Sequence, residues 1–260
     1  MKKKILVYLP VYNSFKNLPK IFRELSLNFR KNIPDVLIVD NASTIFSEQE
    51  KINSIKKIKS QNKKINIFFL VNNKNYGIGG SMKIMINFAK KYNYQYVCSL
   101  LTSGRYNEKV IIKEMKKRIS ESYDYIIFSR FKIKGMAKNY NKLRYCFNIF
   151  FINMTKILTK CYFTDPGSII FLLKLNILNK INFKNITNGS HFGHFLNIYI
   201  YKINRNFLEI PMKWGEGNIR SHLNSLSYVI ILASSLLKYF FTGEFFKEKN
   251  NSFKFNITKF

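Results

Sequence analysis

Short apolar runs alternate with amphipathic segments along the first half of the chain. Each run is four to seven residues long and typical of a buried strand: Ile5–Leu9, Asp35–Asp40, Ile65–Val71, Tyr96–Leu101 and Tyr125–Phe128. The segments between them carry apolar residues at helical spacing, and helices are predicted around Leu18–Phe29, Glu48–Ser60, Ser81–Lys91 and Glu108–Ser120. Strands that alternate with helices form a parallel, doubly wound sheet with right-handed crossovers. The pattern therefore predicts the α/β class.

After Arg130 the pattern changes to wide apolar stripes on basic helices. Helices are predicted around Leu143–Leu158 and Phe192–Ile203, a strand over Phe207–Pro211, and a last amphipathic helix from Leu223 to Phe240. The uncharged run of that last helix has 15 residues, fewer than the roughly 20 that span a bilayer. It suits an interfacial helix or, equally, a core or oligomer-facing helix.

The last ten residues, Asn251–Phe260, are interpreted as a frayed tail. We therefore expect one domain over residues 1–222, followed by an amphipathic helix and tail over residues 223–260.

The second predicted strand runs directly into a polar cluster, Asp40-Asn41-Ala42-Ser43-Thr44. Ligands of open α/β sheets bind at the carboxyl ends of the strands, so Asp40 is well placed to hold one. A carboxylate there could also cap the following helix or turn. The stretch alone leaves both interpretations open.

The net charge is +30, from 44 Lys and Arg against 14 Asp and Glu. Such an excess favours an anionic partner, which could be a nucleic acid, a phosphorylated small molecule or an anionic membrane face. Abundant Lys, Asn, Ile, Phe and Tyr also suggest an AT-rich coding sequence, which would raise the Lys content without any binding role. Since the lysines are spread along the chain and no nucleic-acid motif accompanies them, a nucleic-acid partner is not expected.

The three cysteines, Cys98, Cys146 and Cys161, are odd in number and lack metal-like spacing. They favour a reduced, cytoplasmic setting. The start, Met1-Lys2-Lys3-Lys4 and a short apolar run, superficially resembles a signal peptide. Because Pro10 breaks the run and no small-residue cleavage site follows, a first strand is the better interpretation.

A glycine-rich turn, Asn72–Gly80, precedes the third predicted helix. Helix N-termini bind phosphate, but one such turn is weak evidence. It fits neither the dinucleotide fingerprint nor the phosphate-loop signature.

Six short motifs stand in a recognisable order, and a seventh position, Arg144, falls on the helix after the fourth of them. The motifs are Pro10-Val11-Tyr12-Asn13, Ile38–Thr44, Asn75–Gly80, Phe128-Ser129-Arg130, Asp165–Ser168 and Glu209–Trp214. Together they resemble the GT-A glycosyltransferases of family 2, particularly the branch of dolichol- and polyprenyl-phosphate sugar synthases. The resemblance covers residues 4 to about 222. It implies a GT-A fold, a doubly wound mixed sheet flanked by helices, here with C-terminal amphipathic helices.

The resemblance also implies the donor site. Pro10, Tyr12 and Asp40 would contact the nucleoside of a nucleotide-sugar, with Asp40 accepting a hydrogen bond from a ring N–H of the base. The further positions assigned to substrate binding on the same ground are Asn13, Asn41, Gly77, Gly79, Ser103 and Arg144.

Three positions depart from the family pattern. Ser14 replaces the usual glutamate, and Asn41 replaces the second acid of the nucleotide loop. The Asp-x-Asp that binds metal should fall at Leu101-Thr102-Ser103, where neither acid is present. Since Mg²⁺ is normally held by carboxylates and phosphates, no metal ligand is assigned, and Mg²⁺ or Mn²⁺ stays open as a cofactor.

Without a metal, cations must stabilise the leaving diphosphate. Arg105 is the first candidate, with Arg130 and Arg144 as others, because arginine binds phosphate in a bidentate way and stays charged. Arg105 could equally be a surface residue of its loop.

The acceptor decides whether a general base is needed. A sugar hydroxyl needs one, and His191, His194 and Asp165 are the candidates, each of which could instead be structural. A polyprenyl phosphate needs none, because its second pKa is about 6.

The leading hypothesis is an inverting glycosyltransferase of cell-envelope glycan biosynthesis, with a nucleotide-sugar donor and a polyprenyl-phosphate or glycan acceptor. The basic, aromatic helices Leu143–Lys160 and His222–Phe241 would place it peripherally at the anionic inner face of the cell membrane, although they could also be ordinary core helices. A homo-oligomer stays open. The alternative hypothesis is a catalytically inactive GT-A subunit that binds or scaffolds.

Overall fold

The structure is a computed structural model and describes residues 4–29, 33–137, 141–203, 206–215, 225–249 and 251–260. Within these ranges eight strands form one mixed sheet in the order β7-β5-β6-β4-β1-β2-β3-β8. The strands are β1 Ile5–Val11, β2 Asp35–Asp40, β3 Ile67–Asn72, β4 Tyr96–Ser99, β5 Tyr125–Ser129, β6 Phe171–Lys174, β7 Phe207–Pro211 and β8 Phe255–Lys259.

Seven α-helices of the described residues flank the sheet: α1 Leu18–Asn28, α2 Glu48–Gln61, α3 Gly77–Lys91, α4 Glu108–Ser120, α5 Lys142–Thr159, α6 Phe192–Ile203 and α7 Ser225–Thr242. Each corresponds to a predicted helix, and the α/β class is confirmed. The largest shift in the first half is at α3, which begins at Gly77 within the glycine-rich turn, four residues before the predicted start.

Parallel pairs make up the centre of the sheet and one edge, and β6 and β8 run antiparallel to their neighbours. β1 runs parallel to β2 and β4, β2 to β3, and β5 to β7. β6 pairs antiparallel with both β4 and β5, so the all-parallel sheet predicted from alternation alone is wrong there, and the mixed sheet is confirmed. The apolar run Ile169–Leu173 that contains most of β6 was the available signal.

The interpretation of Asn251–Phe260 as a frayed tail is wrong. Residues 255–259 form β8, which pairs antiparallel with the outer edge of β3. Phe253, Phe255 and Ile257 alternate along this segment and line one pocket together with Leu70 and Phe88, and such alternation is a strand signal. The preceding residues are anchored as well, because Lys83 Nζ donates to Asn251 Oδ1 at 2.8 Å.

Apolar residues pack on both faces of the sheet. One cluster includes Ile21, Phe22, Ile55 and Ile112 of α1, α2 and α4. The other includes Met85, Phe151, Phe195 and Leu236 of α3, α5, α6 and α7. Central strands buried on both faces read as the continuous apolar runs seen in the sequence.

The boundary expected between residues 222 and 223 lies outside the described residues. Within them, α7 packs against α5, and β8 extends the sheet. The carboxyl ends of the parallel strands and the inner faces of α5 and α7 surround the candidate site.

Candidate active site

The loops that leave β1 and β2 are joined through Asn13. Its backbone N–H donates to Ser43 Oγ at 2.8 Å, and its side-chain Oδ1 accepts from the backbone N–H of Thr44 at 2.9 Å. Asn13 has a φ of 55° and Ala42 a φ of 60°. Asparagine tolerates this left-handed region better than most residues, which explains its place in the turn.

Asp40 ends β2 as a fully buried carboxylate with internal partners. Oδ2 lies 2.9 Å from Lys51 Nζ, and Oδ1 accepts from the Ser43 N–H at 3.0 Å and from Ser43 Oγ at 2.5 Å. Lys51 Nζ also donates to the Ser43 carbonyl at 2.9 Å. The carboxylate therefore shapes the loop that follows it, and its assignment to the base of the donor stays a prediction.

Sequence reasoning missed Lys51. It lies on α2, is 6 % exposed, and precedes the buried residues Ile55 and Ile58 by four and seven positions. A lysine inside the apolar stripe of a helix was the available signal.

Asn41 connects the β2 loop to the glycine-rich turn. Its Nδ2 donates to Asn75 Oδ1 at 2.7 Å. Its Oδ1 accepts from Asn72 Nδ2 and from the Tyr76 backbone N–H, both at 2.9 Å. The amide can donate and accept at once, which a carboxylate in its place could not do.

Gly77 and Gly79 are explained by close packing. A Cβ on Gly77 would lie 2.5 Å from the Asn188 carbonyl oxygen, and one on Gly79 would lie 2.5 Å from the Thr187 carbonyl oxygen. Gly77 also has a φ of +73°. The first turn of α3 thus contacts residues 187–188, and the role assigned to both glycines in substrate binding stays a prediction.

The loop after β4 holds hydroxyls where acids were expected. Thr102 Oγ1 donates to the Pro10 carbonyl at 2.9 Å and lies 2.6 Å from Ser14 Oγ. Pro10 is part of β1, paired with Val39, and Tyr12 lies half-buried in the loop beyond it. Hydroxyl contacts between the first and fourth strands therefore stand in place of an acid-lined metal loop.

The residues present do not fit a divalent metal. Within the described ranges, no group of three or more His, Cys, Asp or Glu side chains could hold an ion. The Leu101 side chain has no ligand atom, and Asp40 and Asp165 are each paired with a cation of the protein itself.

A cavity of about 410 Å³ brings six of the predicted site residues together: Ser103, Arg105, Arg130, Arg144, Asp165 and His194. The apolar part of the lining includes Phe147 and Phe151 of α5 and Val229 and Leu232 of α7. Three arginines against one aspartate leave a charge of +2 on this lining. The cavity therefore suits an anionic group attached to an apolar body.

Arg130 and Asp165 form a bidentate ion pair in the lining of the cavity. Arg130 Nε donates to Asp165 Oδ2 and Nη2 to Oδ1, both at 2.7 Å, and the Arg130 backbone N–H donates to Oδ2 at 3.0 Å. The guanidinium carbon also lies 5.5 Å from the centre of the Trp214 ring. This bidentate pair fixes both side chains and neutralises much of the Arg130 charge.

Glu209 holds the Asp165 turn from β7. Its carboxylate accepts from the Thr164 backbone N–H at 2.9 Å and from Thr164 Oγ1 at 2.9 Å. Burial raises the pKa of Glu209, and the hydrogen bonds from Thr164 oppose that shift. Glu209 was noticed in its motif but not assigned to the site.

The other two predicted cations come from different elements of the fold. Arg105 lies in the loop after β4. Its backbone carbonyl accepts a hydrogen bond from the Gly215 N–H at 2.7 Å. Arg144 lies in the first turn of α5 and is half-buried. None of the ion pairs between described residues includes Arg144.

His194 lies in the cavity wall as a neutral imidazole. Thr155 Oγ1 donates its proton to the Phe151 carbonyl at 2.7 Å, so it must accept from His194 Nε2, 2.8 Å away. This assigns the proton to Nε2 and leaves the lone pair on Nδ1. Burial, with a smaller effect of His191, lowers the pKa of His194 to about 3.

His191 joins α6 to α7. Its Nε2 lies 2.8 Å from the Tyr228 carbonyl, and its ring stacks on the Tyr228 ring with centres 4.2 Å apart. Burial lowers its pKa. Both contacts are structural, and His191 does not line the cavity.

The comparisons with known proteins agree on one family and one fold. The sequence profile of glycosyl transferase family 2 matches residues 6–177. Glucosyl-3-phosphoglycerate synthase from Mycobacterium tuberculosis, solved with Mn²⁺, UDP and glucosyl-3-phosphoglycerate, is 11% identical at a TM-score of 0.61, over 90% of this chain and 77% of that one. The same enzyme with Mn²⁺, UDP-glucose and phosphoglyceric acid gives a TM-score of 0.58 at 11% identity, over 92% and 79%.

A third similar structure is S. aureus TarS, 14% identical at a TM-score of 0.53, over 92% of this chain and 72% of that one. No curated protein matches the chain. The GT-A fold is thereby confirmed. Among the described helices, none is both long and apolar enough to cross a membrane.

Proposed function

Since the chain belongs to glycosyl transferase family 2 and is a glycosyltransferase that uses a nucleotide-sugar, we propose that its acceptor is a polyprenyl phosphate and that transfer inverts the anomeric carbon without a bound metal. The observation that carries this proposal is the cavity that brings three arginines together with apolar side chains of α5 and α7. An acceptor with a phosphate on a hydrocarbon chain is complementary to both parts.

The donor would bind at the carboxyl ends of β1 and β2. Structures of a similar fold were solved with UDP or UDP-glucose, which supports a nucleotide-sugar there. In this chain Asp40 would act by fixing the Ser43 loop, because its carboxylate already forms an ion pair with Lys51 and accepts hydrogen bonds from Ser43. Tyr12 and Asn13 would complete the nucleoside site from the β1 loop.

The proposed reaction needs no protein base. A phosphate oxygen of the acceptor attacks the anomeric carbon and forms the new C–O bond, while the bond from that carbon to the donor diphosphate breaks and its electron pair leaves with the diphosphate. Polyprenyl phosphate is largely a dianion at neutral pH, so no proton has to be removed. Arg105 and Arg144 would stabilise the two phosphate groups as charge moves between them.

The remaining polar groups would orient the reactants. Asp165 holds Arg130 in place, which leaves Asp165 as a positioning residue. With its pKa lowered to about 3, His194 would accept a hydrogen bond at Nδ1 from a sugar hydroxyl rather than carry a proton. A glycan acceptor would instead need a base.

The acceptor also sets the place of the reaction. A polyprenyl phosphate resides in a bilayer, so the enzyme would work peripherally at the anionic inner face of the cell membrane, in envelope glycan assembly.

The test uses the full chain with UDP- and GDP-sugars, a polyprenyl phosphate and EDTA. We expect release of nucleoside diphosphate, unchanged by EDTA. Arg144→Ala should lower kcat/KM by about 10- to 100-fold, the size expected for a lost charge-assisted hydrogen bond, whereas Lys142→Ala on the same helix should match wild type. No release from any donor, with Asp40→Ala also leaving nucleotide binding unchanged, would exclude the proposal.

The missing Asp-x-Asp acids favour a second candidate, a catalytically inactive subunit that keeps the fold. Calorimetric titration with the same nucleotide-sugars, with and without Mn²⁺, separates the two. The subunit would bind nucleotide without turnover, and its affinity would not depend on the metal.

A further inference from the structure

Helix α5 carries apolar side chains on two opposite faces. Its inner face is buried through Phe151, Ile152 and Thr155. A second stripe, spaced by four, three and seven residues, faces outward with exposed fractions of 65%, 39%, 59% and 73% at Leu143, Phe147, Phe150 and Ile157. A surface helix of a globular protein normally shows polar residues there, so the outward stripe calls for a partner.

Helix α7 repeats the arrangement. Leu232 and Leu236 of its inner face are buried. Its outward residues include Ile230, Leu237, Phe240 and Phe241, with exposed fractions of 58%, 45%, 55% and 78%. Because α5 and α7 pack against each other, their outward stripes belong to one region, which we define by these eight residues as the outer face.

Positive charge predominates around the outer face. Residues 125–164, which include all of α5, contain eight Lys or Arg and no Asp or Glu. Lys238 is the only charged residue of α7. Aromatic and aliphatic side chains beside a surplus of cations are complementary to an anionic lipid surface.

The outer face is continuous with the candidate active site. Phe147 is a member of the outward stripe and also lines the arginine cavity. Val229 and Leu232 of α7 line the same cavity. Whatever covers the outer face therefore lies beside the cavity that holds the arginines.

We propose that the outer face docks on an anionic bilayer, with α5 and α7 lying in the lipid–water interface. The inference deepens the proposed function and rests on it, since it names the partner that supplies the acceptor to this cavity. Two adjacent interfacial helices with flanking cations give reversible binding that depends on salt.

The experiment measures co-sedimentation of the full chain with vesicles of neutral phosphatidylcholine and of phosphatidylcholine with phosphatidylglycerol. We expect binding to the anionic vesicles that weakens with added NaCl. The double variant Phe150→Ser/Ile157→Ser should reduce the partition coefficient at least about tenfold, given the apolar area removed. The matched control is Leu27→Ser/Val110→Ser, two residues 50% and 52% exposed on α1 and α4 at the opposite face of the sheet.

A separate assay distinguishes failure of this inference from failure of the proposed function. With a short, water-soluble prenyl phosphate and no vesicles, the α5 double variant should turn over like wild type, because neither residue lines the cavity. Absence of turnover there in both proteins would reject the proposed function and leave the vesicle result standing on its own.

Three results would overturn the docking proposal. The first is no binding of wild type to anionic vesicles, and the second is equal binding by wild type and the α5 double variant. The third is a wild-type dimer in solution that the double variant converts to a monomer without any vesicle binding, which would make the outer face an interface between copies of this chain.

Discussion

The two sides of the candidate site use their polar residues in opposite ways. On the donor side, Asp40, Asn41 and Asn13 are occupied by bonds within the protein. On the acceptor side, Arg144 and the lone pair of His194 lie in the wall of a cavity of about 410 Å³. The motifs that were easiest to find in the sequence thus build loops, and the cavity that can take a ligand is assembled from residues far apart in the chain.

The difference teaches that a motif residue can serve a ligand without touching it. A carboxylate at the end of a parallel strand is well placed for a ligand, yet Asp40 is fully buried and organises the Ser43 loop. Arg130 and Asp165 combine the two behaviours: both line the cavity, as the acceptor-side residues do, but they are bonded to each other.

The largest expected effect is on the donor side. Lys51→Met leaves the Asp40 carboxylate buried without its cation, and loss of one partner of a buried ion pair costs about 3–5 kcal/mol of the free energy of unfolding. Urea denaturation measures it. Lys56→Met, an exposed lysine of the same helix, should change stability by less than about 0.5 kcal/mol. Similar values for both variants would show that Asp40 does not depend on Lys51.

The second largest loss of stability is expected from the Arg130–Asp165 ion pair. Arg130→Met should cost about 3 kcal/mol, near the lower limit for such a pair because its side chain is 15% exposed. The double variant Arg130→Met/Asp165→Leu should recover much of that loss, since no unpaired charge stays buried, but should remain inactive. Recovered activity in the double variant would remove the pair from the mechanism. Thermal unfolding and nucleoside diphosphate release are the two measurements.

A smaller effect tests the glycine-rich turn. Gly79→Ala places a Cβ 2.5 Å from the Thr187 carbonyl oxygen, and such overpacking costs about 1–3 kcal/mol. Gly189→Ala is the control, because its Cβ would lie 3.4 Å from the nearest atom, Thr187 Oγ1, in ordinary contact. If the Gly79→Ala protein has normal stability but has lost nucleotide affinity, Gly79 acts in donor binding rather than in packing.

The last prediction concerns the pH dependence of stability through His194. Its pKa is lowered to about 3 in the folded protein against 6.5 unfolded, so the unfolded state binds the proton more readily. Its stabilising contribution is complete above pH 6.5 and falls by about 1.4 kcal/mol per unit as the pH drops toward 3. Denaturation of wild type and His194→Gln between pH 7 and 4 should show the steeper fall in wild type. If stability falls equally with pH in both proteins, the imidazole of His194 is exposed to water and its pKa is not lowered.

Much of the fold followed from local pattern. The helices and the six central and flanking strands other than β6 and β8 have the periodicity that their burial requires, and β2, α4, α6 and β7 have the predicted bounds. β6 was missed although the short apolar run Ile169–Leu173 marks it, and β8 because the signal of an edge strand whose five residues are all exposed is weak. Both join the sheet through hydrogen bonds to distant strands, which no local pattern records.

Of the candidate site, the sequence determined the residue types and the order of the motifs. It determined the family resemblance, the lack of acids at Leu101–Ser103, and the amphipathic character of α5 and α7, because these depend on neighbours in the chain. Only the tertiary structure decided that Lys51 pairs with Asp40, that Arg130 is held by Asp165, and that Arg144 and His194 share one cavity. The charge available to a ligand depends on which cation and which carboxylate meet in space, and a pair such as Arg130 and Asp165, 35 positions apart, meets only when the chain is folded.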